Sequence, residues 1–229
     1  MILYIWINIL SIAVVVFIML SIFNNIIKEQ QLELLSALTA AKDDYTYGHE
    51  LHTEALVRLF WKHLPKEIKC RIKKKILFRA AKIHDVGKVL IDTAILCKPN
   101  KLTPEEYAQI KLHAPLGAKI ISRTHHHKLA SIIAFHHEKW DGTGYCSAIS
   151  GKDIPIEARI LAIADVFSAC TTPRIYQPKI KTIPEALDLL REGRGTHFDA
   201  ELVDYFVEID MSELMRIDTM IRDRYHVVT

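Results

Sequence analysis

Seven side chains able to ligate a metal recur along the chain in one order: His49, then His84 with Asp85, then His113, then His136 with His137, then Asp165. Their settings argue against ordinary core duty. "ILFRAAKIHDVGK" places an imidazole and a carboxylate side by side at the end of an apolar helix, an arrangement that is costly to bury unless something satisfies both groups. A metal ion is the usual remedy. Asp165 follows "ARILAIA", where an aliphatic residue would pack better, His113 closes one helix, and His136 and His137 close another. Taken singly, each reads equally well as a hydrogen-bonded buried polar group; the set of seven is harder to explain that way.

The other histidines of the twelve sort differently. His125, His126 and His127 fit a polar turn between helices, and His63, His197 and His226 read as isolated surface or capping residues. His52, one helical turn from His49, is either a plain helix residue or a supporting partner of that ligand.

Helices must position these groups, because strand signals such as alternating β-branched runs with Asn-Gly turns are missing. The apolar spacing predicts helices at about 47 to 63, 68 to 84, 104 to 112, 115 to 123, 127 to 137, 155 to 170, 183 to 192, 199 to 209 and 211 to 224. One start is marked by a capping box, Thr103 with Glu106, and by Pro104 in the first turn. The expected fold is all-α.

Length and composition set the outer bounds. The 229 residues suffice for one well-buried domain plus an appendage. Four scattered cysteines, Cys70, Cys97, Cys146 and Cys170, form neither a zinc knuckle nor a secreted disulfide framework, which fits a reducing compartment. A net charge of +3 is too mild to argue for a nucleic-acid polymer as partner, and leaves room for a small anionic ligand.

The stretch from Ile2 to Phe23 carries no charge, and about 20 apolar residues are what a helix needs to cross a bilayer. A secretory signal is less well matched, lacking a basic start and a small-residue cleavage pattern. A buried core helix would rarely be apolar on every face for this length. Lys28 and Lys42 follow the span and no basic side chain precedes it, which puts the remainder in the cytosol. The expected organisation is a single-pass anchor over 1–27, a connecting helix over 28–42, a catalytic domain over 43–210 and a helical tail over 211–229. Between Lys62 and Lys82 nine basic residues stand against a lone Glu67; this is either a solvated face or a contact with acidic lipid headgroups.

The order H…HD…H…HH…D, with its surrounding words, resembles the HD-GYP branch of the HD metal-dependent phosphohydrolases. "DDYTYGH", "HDVGK", "KPNKLTPEEYAQIKLHAPLGA", "HHEKWDGTGY", "IPIEARILAIADVF" and "GRGTHFDAELV" all match that pattern, over roughly Leu32 to Glu208. The resemblance implies an HD-domain helical bundle behind the membrane helix. It also implies two divalent metal ions, one held by His49, His84 and Asp165, the other by His113, His136 and His137, with Asp85 bridging. Imidazole and carboxylate without thiolate suit iron or manganese better than structural zinc. Lys88 stands where the family has a lysine that touches the phosphate or assists the leaving oxygen, and Asp43, Tyr145 and Arg174 stand where it has substrate contacts.

The activity implied is hydrolysis of cyclic di-GMP to linear pGpG, and in some of the family on to GMP, at the cytoplasmic membrane. The partners implied are the cyclic dinucleotide, the membrane, and either a second copy or a regulatory chain. The sequence departs from the family at three places: Ser168 replaces an aspartate, Gln177 a basic residue, and Cys146 the proline of GYP. The last change should loosen its loop without removing a ligand. Together they keep two alternatives in view, a hydrolase of another cyclic dinucleotide or nucleotide phosphate, and a retired cyclic di-GMP sensor. Tyr45 stands where some relatives place a glutamate for a third metal, so two ions are expected.

Overall fold

The fold is built on α-helices, as the apolar spacing predicts, and a computed structural model describes residues 2–42, 44–124, 126–172 and 180–225, with backbone alone for 2–12, 44–47, 222 and 224–225. Asp43, His125, Arg174, Gln177 and His226 lie outside the described residues, as does the side chain of Tyr45. No strand occurs among the described residues; one isolated bridge joins Arg194 and Phe198. The helices are α1 (Ile2–Lys42), α2 (Asp44–His63), α3 (Lys66–Lys69), α4 (Lys74–Ile83), α5 (Thr93–Leu96), α6 (Pro104–Lys111), α7 (His113–Ser122), α8 (His127–Phe135), α9 (Ile156–Thr171), α10 (Ile183–Glu192), α11 (Ala200–Val207) and α12 (Met211–Tyr225).

The chain divides into two units, Met1–Leu35 and Ser36–Thr229. The first is helical and carries exposed apolar side chains from Val14 to Phe23. Ala13–Lys42 is long and apolar enough to cross a membrane.

In the second unit α9 lies at the centre, buried along most of its length from Ala158 to Phe167. It packs on α2, α4, α10 and α11. Phe60 of α2, Phe167 of α9 and Phe206 of α11 meet edge to face, with centroids 5.0 and 5.3 Å apart. Such geometry suits ring quadrupoles, and truncating one of these rings to alanine would cost about 3–5 kcal/mol. Two capping boxes fix helix starts, the expected one at Thr103 and Glu106 and another at Thr182 and Glu185.

The helix expected over 68 to 84 is broken into α3 and α4. Lys73, at φ −83 and ψ 89, points its amide at the buried Glu157 carboxylate, 3.3 Å away, instead of continuing the helix. A run of like charges at Arg71, Lys73, Lys74 and Lys75 would in any case repel along a continuous helix. The short α5 and the 3-10 turns Val86–Leu90 and Gly151–Asp153 were not expected, being too brief for a periodic signal.

Candidate metal centre

Five elements and the turns that end them bring the seven predicted groups to one place. His49 and Asp165 project from within α2 and α9, His84 caps the end of α4, His113 opens α7, and His136 caps α8 with His137 just beyond. Asp85 sits between α4 and the 3-10 turn, in the bridge region at φ −90 and ψ 5. His49, His84, Asp85, His113, His136 and Asp165 are buried, and His137 is partly open.

The tertiary approach that makes this possible is between the turn after Asp85 and α7. A Cβ on Gly87 would lie 1.8 Å from the His113 carbonyl oxygen, so glycine alone lets the two backbones meet here. Gly144 serves the loop after His137 in the same way, because a Cβ there would lie 2.4 Å from the Lys139 amide.

Three histidines are oriented by the chain that precedes them. Nδ1 of His84, His113 and His136 lies 2.9, 2.7 and 2.7 Å from the carbonyl oxygens of Ala81, Ile110 and Ile133. A carbonyl can only accept, so Nδ1 carries a proton and Nε2 is the nitrogen left to face a metal. His113 Nε2 then lies 3.4 Å from His136 Nε2 and 3.2 Å from His137 Nε2. His84 Nε2 has no hydrogen-bond partner although buried. Ring nitrogens crowded together in this way in a buried space could hold a cation between them.

The carboxylates complete the set. Asp85 offers Oδ2 to His84 Nε2 at 3.5 Å and Oδ1 to His113 Nε2 at 3.2 Å, one oxygen toward each half of the cluster. Asp165 Oδ1 lies 2.8 Å from His49 Nε2 and 3.7 Å from His84 Nε2. Three overlapping groups have ligand atoms within 4.8 Å of one another: His49, His84 and Asp85; His113, His136 and His137; and His84, His136 and Asp165. The donor set fits divalent cations.

Electrostatics agree with a site built for positive charge. Burial would raise the carboxyls of Asp85 and Asp165, but Lys88 and the histidines around Asp85, and the His49 hydrogen bond to Asp165 with His84 nearby, hold both well below the usual range. Burial works against a charged His84, yet Asp85 and Asp165 outweigh it and lift that ring to about 9. Burial pushes His113 and His136 down and takes His137 to about 3, leaving neutral rings able to coordinate.

Lys88 Nζ donates to Asp85 Oδ2 at 2.6 Å. The turn is 3-10 rather than α, so Lys88 reaches Asp85 three residues back and does not share a continuing helical face with His84. Tyr145 stacks on His137 at 4.8 Å, with Lys111 Nζ 5.7 Å from its ring. Burial, with Asp165 and other groups adding to it, raises the phenol well above its usual range.

Two of the family departures take on definite form. Cys146 has φ 109, a value no proline can adopt, so the loop uses the freedom that the missing proline leaves. Ser168 is fully buried behind His49, which makes it a neighbour of that ring and not a surface that a nucleotide could touch.

Sequence reasoning missed Glu50 and Glu138. Glu50 is buried with neither oxygen hydrogen-bonded, and burial lifts its carboxyl to about 8. Glu138 is buried and its Oε1 accepts from the Ser147 amide at 2.6 Å, holding the loop that follows Tyr145. The available signal was their position, each directly after a predicted ligand.

The comparisons with known proteins agree with this geometry. An HD domain model matches residues 30–202. A cyclic di-GMP phosphodiesterase of Vibrio cholerae is 35% identical over 189 residues, covering 77% of this chain and 38% of that protein. A 3'3'-cGAMP-specific phosphodiesterase 2 of the same species is 42% identical over 132 residues, covering 56% and 25%. Among solved structures, the V. cholerae cyclic GMP-AMP specific phosphodiesterase V-cGAP3 aligns with a TM-score of 0.58 at 20% identity, over 86% of this chain and 53% of that one, a likeness of fold. The chain belongs to the HD domain family. It spans about two fifths of the length of the first two curated relatives, 38% and 42%.

Proposed function

We propose that this chain is a metal-dependent phosphodiesterase that opens a cyclic dinucleotide, cyclic di-GMP first among them, and that α1 anchors it in the cytoplasmic membrane with the catalytic unit in the cytosol. The observation that carries the reading is the convergence of His49, His84, Asp85, His113, His136, His137 and Asp165, with Asp85 turned toward both halves of the cluster. His49, His84 and Asp165 would hold one divalent ion and His113, His136 and His137 the other, with Asp85 between them; iron or manganese suits the donors. When bound, such ions supply Lewis acidity to water and to a phosphodiester.

The chain's own groups do the rest. Lys88, held by Asp85 at the edge of the cluster, keeps a positive charge where phosphate oxygens gather negative charge. Tyr145, stacked on His137, offers a ring face and a hydroxyl beside the same place. Asp43 and Arg174 are assigned as further substrate contacts by the family motif. The presence of all seven ligands supports an enzyme over a retired sensor.

A second reading is hydrolysis of 3'3'-cGAMP, favoured by the 42% identity to a phosphodiesterase named for that compound. The test is anaerobic purification of the full chain in detergent, metal analysis, and chromatography of cyclic di-GMP and 3'3'-cGAMP after incubation with iron or manganese. Two metals per chain and linear pGpG are expected. Faster consumption of 3'3'-cGAMP would transfer the reading to that substrate, and tight cyclic di-GMP binding with neither metal nor turnover would make the chain a sensor.

A further inference from the structure

His49 cannot be oriented as the other buried ligands are. It lies inside α2, where the carbonyls of the preceding turn are engaged in the helix, and its Nδ1 instead meets the Ser168 hydroxyl of α9 at 2.8 Å. The same hydroxyl oxygen lies 3.0 Å from Nδ1 of His52 and 3.5 Å from the His49 carbonyl. His52 Nε2 in turn lies 2.8 Å from Asp218 Oδ1 of α12, in an angled approach. His52 and Ser168 are fully buried.

When His49 Nε2 faces a metal, these contacts admit a self-consistent placement of protons. Nε2 must then be bare, so Nδ1 carries the proton and donates to Ser168 Oγ. The Ser168 proton is left to donate to His52 Nδ1, the shorter of its two acceptor contacts. His52 is thereby protonated on Nε2, the nitrogen that faces the Asp218 carboxylate. Every proton points one way, from His49 toward α12.

We infer that Ser168 and His52, backed by Asp218, are positioning residues that fix the tautomer of His49 and so set how tightly the centre holds its ions. The inference rests on the reading of His49 as a ligand. It gives α12, which bears none of the seven ligands, a part in metal retention.

The test is Mn²⁺ affinity of the full chain in detergent, measured by chelator competition, beside metal-free melting temperatures. Ser168→Ala frees the His49 ring to place its proton on Nε2 and is expected to weaken Mn²⁺ binding about 10- to 100-fold. His52→Leu, which removes the acceptor, is expected to weaken it about tenfold, whereas His52→Asn, whose side-chain oxygen can replace Nδ1, is expected to stay within about threefold of the parent. A merely structural role would lower both His52 melting temperatures without separating the two affinities, and would overturn the inference. That pair decides the matter even if Ser168→Ala does not fold. His49→Ala is the control: undiminished Mn²⁺ affinity there would remove the ligand reading itself, and the inference with it.

Discussion

Gly87 and His113 meet backbone to backbone, so closely that a Cβ on the glycine would fall 1.8 Å from the histidine's carbonyl oxygen. This approach joins the turn carrying Asp85 to the helix that begins with His113, and Asp85 Oδ1 can therefore reach His113 Nε2 at 3.2 Å. Gly87→Ala must push the two apart. It is expected to lower stability by about 3 kcal/mol or more and to reduce metal content. Denaturant titration and metal analysis check this; a variant with parental stability would contradict the geometry.

Asp85 faces both halves of the cluster, so Asp85→Ala is expected to abolish metal loading and turnover together. Lys88→Met separates the two roles, because it removes a charge without removing a ligand. It should retain metal and lose roughly 10²- to 10³-fold in turnover, the scale for losing one preorganised charge stabiliser. Single-turnover assays with metal quantified on the same samples would read both.

Cys146 at φ 109 sets a prediction opposite to family resemblance. Restoring proline by Cys146→Pro demands φ near −65 and is expected to destabilise the protein by about 2 kcal/mol or more, with disturbance of the Tyr145 stack on His137. Cys146→Gly should be neutral or stabilising, by up to about 1 kcal/mol. Melting curves of the two variants order them.

The metal-free protein should lose stability between about pH 6.5 and 9. His84 is lifted from 6.5 to about 9 by Asp85 and Asp165 against its burial, so its contribution is complete below 6.5 and lost as pH rises through 9. Glu50, lifted from 4.5 to about 8 by burial, adds in the same direction, its contribution disappearing as pH passes 8. His113, His136 and His137, held low by burial, act on the acid side and leave this window flat. A metal on His84 displaces its proton, so the loaded protein should show a shallower decline. Melting temperature against pH, with and without Mn²⁺, measures both slopes.

The clustered histidines and aspartates and the helical class were legible in the sequence because their signals are local. An imidazole beside a carboxylate at the end of an apolar helix is costly wherever that helix packs, and the α10 span of Ile183–Glu192 follows from periodicity and a capping box. What sequence could not give are relations between distant segments. The break before α4 depends on Glu157, 84 residues away, drawing the Lys73 amide out of the helix. Ser168 reads in sequence as a lost recognition residue, and only the packing of α9 on α2 puts its hydroxyl against His49 and His52. Residue types and short spacings determined the chemistry available to this chain. Tertiary structure decided which lone pairs and protons face one another, because hydrogen bonding acts over a few ångströms and the partners lie far apart along the chain.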